Sequence, residues 1–401
     1  MASIAKHVRD VAPAMSIKFN GYVYDMKQRG EDVVVLSLGE AFFDIPLFPF
    51  DDLPFPALYH YSHSRGIPEL RRKLASYYDT QYGVPVDPAT EIVVTSGSKI
   101  ALHMCFMALL DAGDQVVVPE PAWVSYSEQV RLCHGDPVMV PYGVPVTELG
   151  SWITPRTRAI VVCSPQNPTG RVYSADELRC LHRLARENDL YLLADEAYSD
   201  FLVGEEFVSC GVEDPEKRHT IICNSMSKNY GMSGWRIGYI ISNPEMMEQV
   251  LKINQHLVTC PATILEHYFE RHFDDILAIT KPQIREVVRK RARIGEYMKE
   301  LGLSYMDGTA TFYFFVSIAE SGLGSEDFCL KLLRESRVSV VPGRGYGESC
   351  DRFVRVSVGS ESMERTLHGI RAIRALIEST RPAGGDGAIP APPLVEIAPA
   401  M

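Results

Sequence analysis

Between residues 91 and 242 the chain returns seven times to a short, unbroken run of apolar residues: EIVVTSG, QVVVPEP, PVMVPYG, RAIVVCSP, YLLADEAY, TIICNSMS and RIGYIIS. Runs of this kind belong to strands buried on both faces, because a strand with one wet face alternates apolar with polar residues. Between several of them lie amphipathic stretches of helical length, SKIALHMCFMALLDAG (98–113), SYSEQVRLCHG (125–135) and SADELRCLHRLARENDL (174–190). Helices of that type cover a sheet from above and below. The pattern predicts an α/β fold, with a mainly parallel sheet sandwiched by helices in a large domain over residues 51–280. A further helix, PELRRKLASYYDTQYG, is expected to stop at Gly83.

From residue 281 the rhythm changes. A long charged helix over 282–300 is followed by TFYFFVSI, a helical EDFCLKLLRES, the strand VSVVPG, the strand RFVRVSVG and a last helix ending near Thr380. These elements predict a smaller α+β domain over 281–380. The segment 1–50, with a helix over 16–29 and the strand VVVLSLG, is expected to join it. The stretch 381–401, rich in Pro, Ala and Gly, is expected to be a disordered tail.

A net charge of −11 gives no positive field for nucleic acid or an anionic membrane surface. Small molecules are the expected ligands. The nine cysteines are scattered, with no CxxC or Cys/His ladder, so neither a disulfide frame nor a metal site is expected. Reduced thiols and an N-terminus without an apolar signal core point to the cytoplasm, and no apolar run is long enough to span a membrane.

Ligands of open α/β sheets bind beyond the carboxyl ends of the strands. Four such ends carry residues that need explaining. EIVVTSG runs into Gly97, Ser98 and Lys99 at a helix start, where free amides receive a phosphate. YLLADEAY delivers Asp195 and Tyr198 after an apolar run, and a buried carboxylate requires a cation. RAIVVCSP leads to Asn167 in a tight turn, and the stretch NSMSKNYGMSGWRIGY holds Ser225, Ser227, Lys228 and Arg236. Taken singly, a turn glycine or a turn asparagine is unremarkable. Together the groups match pyridoxal phosphate: an aldehyde for the lysine, a ring nitrogen for the aspartate, a phenolic oxygen for neutral donors, and a phosphate for serines, arginine and helix amides.

On these motifs, with LSLGEAFFDIP, YSHSRGIPELR, SPQNPTG, DEAY and FVRVSVG in order along the chain, the sequence resembles the class I, fold-type I pyridoxal-phosphate aminotransferases of the aspartate/aromatic/alanine type. The resemblance runs to about residue 380. It implies that Lys228 carries the cofactor as a Schiff base and then acts as general base, its pKa depressed by cationic surroundings. Arg236, Ser225 and Ser227, with the amides of Gly97, Ser98 and Lys99, would hold the phosphate. Asp195 would pair with the ring nitrogen, Tyr198 and Asn167 would bond the phenolic oxygen, and Trp123 would stack on the ring. Arg355 would grip the substrate α-carboxylate beside the Gly39 backbone and Asn167. Tyr61 would reach the phosphate of the neighbouring subunit, which implies a homodimer. The implied reaction moves an amino group between an L-amino acid and a 2-keto acid. The alternative is an enzyme of specialised metabolism that uses the same carbanion for β/γ-elimination, replacement, cyclisation or C–C bond formation.

Some positions depart from the family's usual pattern. Ala41 and Phe42 replace Pro and Asp after Gly39-Glu40, DGTATFY replaces the usual P-x-G-A-F-Y, and the loop of Tyr61 carries His63 and Arg65. Arg65 reads as an anion contact or as an exposed loop arginine, and His63 as a solvated histidine. Phe19, Tyr22, Phe42 and Phe43 read as a pocket wall or as core.

Overall fold

A computed structural model describes residues 4–204 and 206–382. Seven strands form the central sheet: β1 (Ile92–Thr95), β2 (Gln115–Pro119), β3 (Asp136–Val140), β4 (Thr157–Cys163), β5 (Tyr191–Asp195), β6 (Thr220–Ser225) and β7 (Gly238–Ile241). Their spatial order is β1-β7-β6-β5-β4-β2-β3. All neighbours are parallel except β7, which runs antiparallel to both β6 and β1. The reason is the connection. Parallel strands need a crossover of a dozen or more residues, usually a full helix, whereas the link from Ser225 to Gly238 holds only one short helical turn and a 3-10 turn. The chain therefore turns straight back.

The unbroken apolar runs are explained by burial on both faces. Ile160 and Val162 of β4 and Leu192 and Ala194 of β5 pack with Leu178, Leu181 and Ala185 of the helix Ala175–Glu187. Val161 and Leu193 face the other way, into a core with Leu102, Phe106 and Val116. Ser174 starts the first of these helices with a reciprocal cap: its Oγ accepts from the Glu177 amide and the Glu177 carboxylate accepts from the Ser174 amide. Gly83 ends the helix Pro68–Tyr82 in the left-handed conformation, φ 64°.

Beside the sheet, β8 (Tyr313–Ser317), β9 (Val341–Pro342) and β10 (Phe353–Ser357) form an antiparallel sheet in the order β9-β10-β8. The run VSVVPG, expected as one strand, serves two sheets. Val338–Ser339 pairs in parallel with Val34–Val35, and β9 pairs with β10. The long helix begins well before residue 282: it spans Thr263–Glu300, bends at His272 and carries Pro282 inside. Buried Tyr268, Phe269, Phe273 and Ile276 on one side of the proline and Ile284 and Val288 on the other hold it together by packing, which overrides the local stop signal. The helix Pro244–Leu257 was not anticipated, although its start is marked by Asn243, whose side chain accepts from the Met246 amide, and by Pro244. Among the described residues no helix is long and apolar enough to cross a membrane. From residue 383 onward the expected tail lies outside the described residues.

Phe269 is fully buried beneath the segment between β6 and β7, with its ring edge-on to Tyr230 and Trp235 at centroid distances of 5.8 Å in both cases. Phe269→Ala should lower unfolding free energy in a urea titration by about 3–5 kcal/mol.

Candidate active site

The antiparallel return of β7 brings every relevant strand end to one edge of the sheet. Cys163 is level with Asp195, Asp195 with Cys223, and both Ser225 and Thr95 with Gly238. At the end of β6, Ser225 accepts the Ser227 amide through Oγ at 3.0 Å and opens the one-turn helix Met226–Asn229 that raises Lys228. The chain then reverses through Arg236, held at φ 59°. The Arg236 guanidinium donates to Ser227 Oγ at 3.3 Å and to Ser233 O at 2.7 Å. It lies directly over Gly97, at φ 90°, where any Cβ would collide with it. A Cβ at Gly238 would likewise strike the Ser98 amide. Two glycines thus bring a guanidinium against the start of the helix Ser98–Leu109, forming a concave anion seat. The Gly97 amide is already engaged by Thr95 O at 2.8 Å, which leaves the first-turn amides of Ser98 and Lys99 as its backbone donors.

Lys228 turns its amine inward, where Nζ donates to Gly39 O at 2.5 Å and lies 5.9 Å from the centre of the Tyr198 ring. Its pKa falls to about 8. The leading cause is loss of hydration, with Arg355 and Arg236 lowering it further and Glu40 and Asp195 opposing. The expected cationic neighbours thus contribute, behind dehydration as the larger cause. Asp195 is buried at the end of β5, and Oδ2 accepts from Tyr126 Oη at 2.6 Å while Oδ1 accepts from the Ala197 amide at 3.2 Å. Burial pushes its carboxyl up, against the pull of these donors and of Lys228. Among the described residues no cation stands within ion-pair distance of it. Tyr126 was not foreseen from sequence; its place three residues after Trp123 is a signal that could have flagged it. Trp123 meets Tyr126 edge-on at 5.3 Å, with Lys99 Nζ over its ring at 5.1 Å.

On the opposite wall Arg355 of β10 is 3% exposed. It donates to Asn167 Oδ1 at 3.3 Å and to Ser37 O at 2.8 Å, while its Nε finds no partner. The guanidinium rests over the rings of Tyr313, at 4.5 Å, and Tyr346, at 5.6 Å. Here too no described carboxylate forms an ion pair, so a buried cation faces the site without a counter-anion. Tyr198 bonds Tyr313 hydroxyl to hydroxyl at 2.9 Å.

Tyr61 stands 86% exposed on the single chain, apart from this cluster. Its loop is clamped from beneath. Ser62 Oγ and the Ile67 amide donate to Glu266 at 2.6 and 3.0 Å, and Asn254 donates to Ser64 O at 2.7 Å. Arg65 is not an exposed loop arginine: it is buried, and the anion that it meets is the chain's own Glu248, with Thr90 O as a second acceptor. His63 is exposed, with Nδ1 accepting from the Arg65 amide. The four aromatic residues divide: Phe19 is core and packs on Tyr22, Phe43 stacks on Phe201, and Phe42 stays exposed.

A nucleophilic amine, a buried carboxylate, a buried guanidinium and an anion seat stand together at one edge of the sheet, an arrangement suited to a small, charged ligand. Residues 50–373 match the family model of aminotransferase class I and II, and the chain belongs to that family. It is similar to the aromatic-amino-acid aminotransferase 2 of Thermococcus litoralis (31% identical, covering 86% of this chain and 92% of that one). It is also similar to the probable aspartate/prephenate aminotransferase of Aquifex aeolicus (32%, covering 94% and 98%). In structure it resembles the aspartate aminotransferase of Thermus thermophilus with maleate, at a TM-score of 0.86 and 32% identity over 94% of this chain and 100% of that one. The fold is that of the fold-type I aminotransferases, and the chain is an aminotransferase.

Burial pushes Glu266 up to about 7, against hydrogen bonds from Ser62 and Ile67. The folded state therefore keeps a proton that the unfolded state sheds near the usual 4.5, and stability falls as pH rises through that window, with the full penalty present above 7. Glu266→Gln carries no such charge. Its urea midpoint should vary less than the wild type's between pH 5 and 8 and should exceed it at pH 8.

Proposed function

We propose that this aminotransferase uses pyridoxal 5′-phosphate, held at the carboxyl edge of the sheet, to move an amino group between an L-amino acid and a 2-keto acid. The observation that carries this reading is the pair of buried, unpaired charges, Asp195 and Arg355, on either side of the Lys228 amine. The residues fit the cofactor. Asp195 lacks the cation that a ring nitrogen would supply, Gly97 and Gly238 clear a cradle that a Cβ would fill, and Arg355 has an orphaned Nε. When bound, pyridoxal phosphate supplies an aldehyde for amines and a ring that accepts the electrons of the breaking Cα–H bond.

The chain's own residues do the rest. Arg236, Ser225, Ser227 and the amides at the start of the helix Ser98–Leu109 would hold the phosphate, Asp195 the ring nitrogen, Trp123 a ring face, and Tyr198 with Asn167 the phenolic oxygen. Arg355, backed by Asn167 and flanked by the Gly39 backbone, would orient the substrate through its α-carboxylate with a bidentate fork. A Lys228 amine with a pKa of about 8 is partly neutral near physiological pH, as a base must be to take the proton from substrate Cα. Residues 51–280 would form the cofactor lobe, and residues 1–50 with 281–380 the smaller lobe that brings Arg355. We infer a homodimer in which exposed Tyr61 reaches the neighbouring subunit's phosphate seat. A cytoplasmic location is supported by nine free cysteines.

Purified protein mixed with pyridoxal phosphate, single amino acids and 2-oxoglutarate should yield the matching keto acid by mass spectrometry. Lys228→Ala should lower the rate at least about 10³-fold, as loss of a nucleophile and base does. Borohydride reduction of the loaded wild type should place the cofactor's mass on the peptide of Lys228. Full activity in Lys228→Ala would refute the assignment. For the dimer, sedimentation should give twice 44.8 kDa. Hybrids of Tyr61→Ala and Lys228→Ala chains should recover activity that neither homodimer has, because one of their two sites is intact.

A further inference from the structure

Tyr313 joins the two halves of the site. Its hydroxyl lies 2.9 Å from that of Tyr198, while the face of its ring carries the Arg355 guanidinium at 4.5 Å. The side chain is fully buried. Its placement is held by means that an ordinary core residue does not need. Two positions earlier, Thr311 sits at φ 64°, a left-handed conformation that β-branched residues seldom adopt. Thr311 Oγ1 accepts from the Tyr313 amide at 3.2 Å, and its own amide donates to Phe201 O at 2.9 Å. The preceding residues are fastened to the turn that bears Asn167. The amides of Thr309 and Ala310 donate to Gly170 O at 3.1 and 2.9 Å, and a Cβ at Gly170 would strike Ala310 O. From the long helix, Arg291 donates to Tyr313 O at 2.7 Å and to Thr169 O at 3.0 Å. Strain kept at a buried position shows that the surroundings over-determine it, and such outliers concentrate at functional sites.

We propose that Tyr313 is a positioning residue of the transamination site, donating its proton to Tyr198 so that the Tyr198 hydroxyl is aimed at the cofactor's phenolic oxygen, while its ring steadies Arg355. The proposal rests on the cofactor reading above. A tyrosine hydroxyl owns one proton. If Tyr198 donates that proton to an anionic oxygen, it can meet Tyr313 only as acceptor, and Tyr313 must be the donor. The other groups facing the pair are Arg355 and Cys163 toward both, Glu40 toward Tyr313, and Lys228 over the Tyr198 ring. None of these reaches the Tyr198 hydroxyl as a hydrogen-bond donor in the structure, so Tyr313 alone fills that role.

Tyr313→Phe removes the hydroxyl and leaves the ring beneath Arg355. Weaker donation from Tyr198 frees the phenolic oxygen to share the proton of the neighbouring cofactor–lysine linkage. The pH midpoint of the visible absorbance of the loaded enzyme should therefore rise, by about half a unit. Tyr198→Phe should raise it further, and adding Tyr313→Phe to Tyr198→Phe should change nothing more. KM should stay within about twofold in Tyr313→Phe and rise about tenfold in Tyr313→Leu, which also loses the ring under the guanidinium. An unmoved midpoint in Tyr313→Phe, or an equal movement in the Tyr198→Phe background, would overturn the proposal and leave the cofactor reading standing. A wild-type protein that takes up no pyridoxal phosphate would overturn both.

Discussion

Two opposite charges, Asp195 and Arg355, are buried on facing walls of one cleft, with no counter-ion among the described residues. Each would be cheaper to keep in water or beside a partner. The fold holds both through neutral donors and acceptors, Tyr126 and an amide for one, Asn167 and a carbonyl for the other. The cleft is therefore bipolar, with a carboxylate on one wall and a guanidinium on the other. The same burial acts on Lys228. Moving its pKa from 10.5 to about 8 corresponds to roughly 3 kcal/mol against the charged form, with dehydration as the leading cause.

Much of this was legible in the sequence because it depends on local chemistry. The apolar runs fixed which segments lie inside, and Gly97, Asp195, Lys228 and Arg236 fell at strand ends as α/β sheets require. What escaped has a common cause. Tyr126 and Tyr313 act through contacts with residues 69 and 115 positions away, which no local pattern announces. Arg65 was misjudged for the same reason: its partners, Thr90 O and Glu248, meet it only in the folded chain. The helix boundary at 282 failed because the packing that carries the helix through Pro282 is made by residues distant in sequence.

The small sheet contributes its own share of the site. β10 brings Arg355, β8 brings Tyr313, and the strand pair Val34–Val35 with Val338–Ser339 anchors the segment whose continuation supplies Ser37 O and Gly39 O. The long helix, through Arg291, ties that sheet to the turn of Asn167. Arg355 and the Lys228–Arg236 segment are thus built on separate sheets with a few defined crossing points.

The short return from β6 to β7 sets a length scale. Because Lys228 and Arg236 sit on one hairpin-like excursion whose ends are locked in register, Ser225 opposite Gly238, their separation works as a caliper. On the proposed cofactor reading, a ligand would be measured from its amine-reactive end to its anionic end, so molecules with the right groups at the wrong span would be excluded before any side chain lining the cleft discriminated among them.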